Sequence, residues 1–146
     1  MTAAACSGGG GSMQSTPQPG HGAISIQVIP NPIVAQKVSG NSYDFPFEVV
    51  VRETGGRPVN VTRVSADVLA LGTIRVANES YDAARIRSLG FQTAIPPNGE
   101  LHYRFTPRET VTDDRLFGGV EAQLTAEATD DTGTATSAKT TVTVTK

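Results

Sequence analysis

From Val120 to Val144 the chain alternates with a period of two, interrupted once by the turn Asp130-Asp131-Thr132-Gly133. Val120, Ala122, Leu124, Ala126 and Ala128 share one phase before the turn, and Ala138, Thr140, Val142 and Val144 share one after it. Successive side chains of an extended strand point to opposite faces, so this pattern predicts a half-buried hairpin and excludes a helical stripe. A hairpin alone cannot bury its apolar face, so it demands further strands and a second layer.

Those strands are present upstream. In FPFEVVVRE, Phe45, Phe47, Val49 and Val51 share a face opposite Glu48 and Arg52. Ile24, Ile26 and Val28 alternate before Asn31-Pro32, after which Ile33 to Val38 is predicted to resume the same strand as an edge, because proline donates nothing to a ladder. Val59 and Val61 lie in one phase and Val64, Ala66, Val68 and Ala70 in the other, which predicts a β-bulge at Thr62–Arg63. Leu101, Tyr103 and Phe105 form a further inward set, with His102 facing outward. The stretch SYDAARIRSLG predicts a short helix near 80–89, capped by Ser80, with Ile86 and Leu89 on one face and Gly90 ending it. Eighteen threonines and fifteen valines support strands, since β-branched side chains suit a pleated surface. The expectation is an all-β, two-sheet antiparallel sandwich of seven to eight strands over 23–146, preceded by a Gly/Ser/Pro-rich tether at 1–22.

Composition excludes several functions. The net charge of −2 is spread without a Lys/Arg cluster, so no nucleic-acid partner is expected. No apolar run reaches the length of a membrane helix. Nucleophilic catalysis needs a nucleophile, a base and an orienting group in one cleft, yet the two histidines are His21 on the leader and His102 on a strand. A non-catalytic chain without a cofactor is therefore expected. Asp113–Asp114 and Asp130–Asp131 are calcium-type residues, but a strand of about ten residues separates them by about 30 Å, and no metal site is assigned.

The segments LFGGVEAQLTAEATDDTGTATSAKTTVTVTK and IPPNGELHYRF resemble the closing strands of bacterial immunoglobulin-like domains. That class implies a sandwich but no single activity, and the paired core cysteines and tryptophan of antibody domains are missing. Residues 3–6, Ala-Ala-Ala-Cys, resemble the processing site of bacterial lipoproteins. The resemblance implies cleavage before Cys6, a diacylglyceryl group on its thiol, and a place at the bacterial cell envelope, facing the periplasm or exterior; separately, a monomer is expected. A Gly-rich coil of about 16 residues would let the domain stand off the bilayer by about 20–24 Å. Read on its residues alone, GGGGS at 8–12 also has the composition of an engineered linker.

For a protein partner, the predicted binding surface is the loop cluster at one end of the sandwich: Arg52, Glu53, Arg57, Asp130 and Asp131. The insertion from Ser80 to Gly90 is a second candidate. A glycan-binding module is the alternative function, with Tyr81 and Phe91 as its aromatic contacts.

Overall fold

The computed structural model describes residues 20–71, 73–111, 115 and 119–146. Strands β1 (Ile24–Ile29), β2 (Ile33–Val34), β3 (Gln36–Ser39), β4 (Ser42–Asp44), β5 (Phe47–Glu53), β6 (Val59–Ala70) and β7 (Ile74–Asp82) lead into the helix α1 (Ala83–Ser88). After it come β8 (Ala94–Ile95), β9 (Glu100–Phe105), β10 (Arg108–Thr110), β11 (Val120–Asp130) and β12 (Ala135–Thr145). One layer runs β2-β12-β11-β6-β7, with β8 also on β6, and the facing layer is β1-β5-β9. The small sheet β10-β4-β3 prolongs the second layer: Phe47 pairs with Phe105, Asp44 with Arg108, and the Phe45 amide bonds the Pro107 carbonyl between them.

The alternating positions fill the space between the layers. Val120, Ala122, Leu124, Ala126 and Ala128 are buried, as are Ala138, Val142 and Val144 opposite them and Val49, Val51, Tyr103 and Phe105 from the other layer. The bulge falls where the phase change predicts it. Glu127 faces Arg63 and Ala128 faces Val61, so Thr62 is the extra residue. His102 points outward, as its place between Leu101 and Tyr103 requires.

Two expectations need correction. The chain after Pro32 does not resume β1 beside β5. It crosses to the other layer, where β2 runs parallel to β12 with Ile33 opposite Val144. The crossing contains two cis peptide bonds, Ile29-Pro30 and Asn31-Pro32. The helix begins later than predicted. Ser80 lies within β7, paired with Ser65, and Asp82 is the true cap, its Oδ1 accepting from the Arg85 amide at 2.8 Å. An aspartate offers the same accepting oxygen as serine, and the longer pairing of β7 with β6 moves the strand–helix boundary two residues on. Ile86 is the buried residue of the helix, Leu89 is exposed, and Gly90 takes φ +91° just past the end.

The topology defines two ends. β1 and β6 begin, and β5 and β11 finish, at the end where the leader joins; the β6–β7 turn, the last residues of β1 and the last residues of β12 lie at the far end.

Candidate functional site

At the leader end, the five predicted binding residues come together but divide by chemistry. Glu53 and Asp130 are buried, each the final residue of its strand and each on the inward phase. Glu53 Oε2 accepts from the amides of Ala23 at 3.2 Å and Gly55 at 2.5 Å. Its Oε1 accepts from Gly56 and Asn98, both at 2.8 Å. Burial alone would raise the Glu53 pKa, but these four backbone donors outweigh it and hold the carboxyl below its ordinary value.

Asp130 Oδ1 accepts from the Thr132 hydroxyl at 2.6 Å and from the Thr132 and Thr134 amides at 2.9 Å. Its Oδ2 accepts from the Gly22 amide at 2.9 Å and lies 3.3 Å from His21 Nδ1. The Thr132 hydroxyl leads these donors in holding Asp130 well below the usual carboxylate range, against the opposing effect of burial. Both carboxylates are filled by the chain's own donors. Their role is therefore reassigned from ligand contact to internal support.

Of the other three, Arg52 and Asp131 are exposed and Arg57 is half-buried, and all are already paired. Arg57 Nε lies 2.7 Å from Asp131 Oδ1, and Arg52 binds Glu100 Oε1 through Nε at 3.0 Å and Nη2 at 2.5 Å. Glu100 also reaches His102 Nε2 at 2.6 Å, while His102 Nδ1 stands 3.5 Å from Glu48. This row on the outer face of β5 and β9 raises the pKa of His102, chiefly through Glu100. Among the described residues no group of three metal-ligating side chains occurs; Asp113–Asp114 and Cys6 lie outside them.

The two aromatics expected to contact a sugar are packed against other rings instead. Tyr81 is buried and stacked on Phe105 with ring centroids 4.4 Å apart, and Arg85 covers its other side at 4.2 Å. Phe91 packs edge-on to Tyr103 and Phe105. Sugar C–H faces need an open ring, so neither residue supports the glycan alternative.

Two features were not anticipated from the sequence. A small apolar cavity of about 30 Å³ is lined by residues of both layers, Phe45, Tyr81 and Leu124 among them, together with Glu79 and Glu109. Burial and the neighbouring Glu79 raise the Glu109 pKa. The larger feature is a groove of about 490 Å³ where β1 leaves the second layer, walled by Ile29, Pro30, Val34, Pro46 and Phe47 and rimmed by Glu48 and Arg104. β1 pairs with β5 only as far as Glu48, and β3 takes up the same side of the layer only from Asp44. The strand switch thus opens a gap beside Phe45–Phe47. Ile29 and Val34 are each 43% exposed there. The only trace of this in the sequence is the pair of prolines at 30 and 32, which mark an interruption and not a hole.

The fold and its register define an immunoglobulin-like β-sandwich, with a strand that divides its pairing between the two layers. Solved structures agree. A Bordetella pertussis protein named for ApaA matches over 88% of this chain and 98% of its own, at 14% identity and TM-score 0.57. A Northeast Structural Genomics Consortium target solved by X-ray matches over 87% and 89%, at 9% identity and TM-score 0.56. CARDB domains are also among the neighbours, one from Pyrococcus furiosus at 15% identity, 86% and 94% coverage and TM-score 0.43. At these identities the likeness concerns the fold. No protein-family model and no curated protein matches the sequence.

Proposed function

We propose that this chain is a non-catalytic, extracytoplasmic module, lipid-anchored to a bacterial membrane through Cys6, that presents the far end of its sandwich to a protein partner. One observation carries the presenting surface. Of six large apolar side chains exposed among the described residues, five lie at or beyond the far end: Ile29, Val34, Val38, Leu71 and Ile74. Ile29 and Val34 wall the groove together, and exposed apolar side chains beside a groove favour an interaction surface there. A leader joining the opposite end would turn this surface away from the bilayer. The anchor itself is supported by Ala-Ala-Ala-Cys and the glycine run that follows.

The loop charges at the leader end support this reading by default. Arg52, Arg57 and Asp131 already have partners, and Glu53 and Asp130 face inward. Docking there would have to break ion pairs, whereas docking on Ile29 and Val34 only removes apolar surface from water.

Two experiments test the parts separately. Labelled fatty acid should enter the signal-bearing protein in cells and be absent from Cys6→Ser; equal labelling of both removes the anchor. A photo-crosslinking residue at position 29 or 34 should yield a protein adduct that the same residue at position 131 does not. Adducts confined to position 131 would return the binding surface to the leader end.

A further inference from the structure

The leader junction is built unlike the rest of the sandwich. β1 is an edge strand, and tension on an edge strand falls first on its single ladder, here the pairing with β5. The residues just ahead of β1 are nevertheless gripped from both layers. Gly22 donates to Asp130, the last residue of β11, and Ala23 donates to Glu53, the last residue of β5. Ala23 is held on its other side too, its carbonyl accepting from the Thr54 amide at 2.8 Å. β5 is the middle strand of its layer and β11 lies between β12 and β6, so each carboxylate belongs to an interior strand.

The surroundings are fitted to this grip. A Cβ on Gly22 would lie 2.6 Å from Val59 Cγ1 and 3.0 Å from Asp130 Cβ. A Cβ on Gly55 would lie 2.5 Å from the His21 carbonyl oxygen and 2.9 Å from the Ala23 nitrogen. Only glycine lets the junction sit this close to both loops. Each carboxylate is further fixed by neighbouring loops: Glu53 by Gly55 and Gly56 just after it and by Asn98 of the β8–β9 turn, and Asp130 by Thr132 and Thr134 of its own turn. Such charge-assisted bonds to backbone amides are roughly twice as strong as neutral ones.

We infer that Glu53 and Asp130 form a clamp that passes tension on the leader into the interior strands of both layers, so that the anchored end resists peeling of β1. Its biological purpose rests on the tether reading; the clamp itself belongs to the fold, and absence of acylation at Cys6 would remove the first while leaving the second.

The full chain supplies its own handle, because Cys6 is its single thiol. Molecules held between Cys6 and a C-terminal tag are placed under constant load. A second set carries Cys6→Ser with Asn41→Cys, so that the load enters at the far end instead. Asp130→Asn or Glu53→Gln should shorten the lifetime of the leader-loaded molecules by about tenfold or more, the loss of one charged hydrogen bond. In the far-end set the lifetime should change only as much as the chemically measured unfolding rate. Equal shortening in both sets, or none in the first, overturns the clamp. Should either variant fail to fold, hydrogen exchange on the unaltered protein decides: the Gly22 and Ala23 amides should be protected like those of the core, and exchange as fast as an exposed loop overturns the proposal.

Discussion

The two ends of this sandwich solve opposite problems with opposite chemistry. At the leader end, charge is taken inside: Glu53 and Asp130 are buried and saturated by backbone donors, while Arg52 and Arg57 are neutralised by acidic partners. At the far end, apolar side chains are left outside, and Leu71 sits in the left-handed region at φ +55° on a turn closed by the Thr73 amide and Ala70 carbonyl. The contrast teaches where specificity and stability have been placed. A buried carboxylate with all its partners fixes one chain path, because any alternative leaves a desolvated charge unpaired. An exposed leucine in the left-handed region carries backbone strain without burying its side chain, and on the proposed function it belongs to the contact surface.

The largest effect that could break this comparison is at Glu53. Glu53→Ala leaves four backbone donors without their acceptor and should lower stability by about 3 kcal/mol or more, measured by chemical denaturation. A loss no larger than that of an exposed surface charge would deny the buried grip. Next comes Gly55→Ala, which drives a methyl against the His21 carbonyl and the Ala23 amide; a loss of about 2 kcal/mol is expected, with the change in exchange centred on residues 21–26. At the far end the sign reverses. Leu71→Asn places a residue tolerant of φ +55° in the turn and should stabilise by about 1 kcal/mol, while weakening any partner contact there. If it destabilises, the turn is structural and the comparison loses its second half.

The pH dependence is the most diagnostic effect, and its His102 limb is the smallest of all. Glu53 and Asp130 have lowered folded pKa values, so their contribution is present above the ordinary carboxylate values and lost as pH falls through the lowered ones. His102 behaves in the reverse sense. Its folded pKa is raised, so its contribution is complete below its ordinary value of 6.5 and fades as pH rises through the folded one. A denaturation series across pH should therefore show a mild decline above 6.5 that His102→Gln removes and a steeper acid limb that Asp130→Asn flattens. An unchanged profile in His102→Gln would mean that its two glutamates are not engaged in solution.

The architecture was legible because its cause is local. Period-two alternation at 120–144, 45–51 and 101–105 specifies which side chains face inward, and the phase change at Thr62–Arg63 located a bulge to the residue. The helix was legible as an element but not at its start, because serine and aspartate both offer a capping oxygen and only the continued pairing of Ser80 with Ser65 chooses between them. The site was legible as a neighbourhood. Arg52, Glu53, Arg57, Asp130 and Asp131 do meet at one end, yet alternation already put Glu53 in phase with Val49 and Val51, and Asp130 in phase with Ala126 and Ala128. That phase was the available signal that both point inward, and the acidic character of the residues obscured it.

The sequence alone determined that this chain must be a layered β protein with a glycine-rich leader, because side-chain direction along a strand depends only on residue parity. It could not determine that the strand after Pro32 would change layers, that the change would open a groove at the far end, or that two distant carboxylates would close on Gly22 and Ala23. Those outcomes were decided by tertiary structure. Asp130 is 108 residues from Gly22, and a hydrogen bond over that span exists only once both layers have stacked and brought the ends of β5 and β11 beside the start of β1.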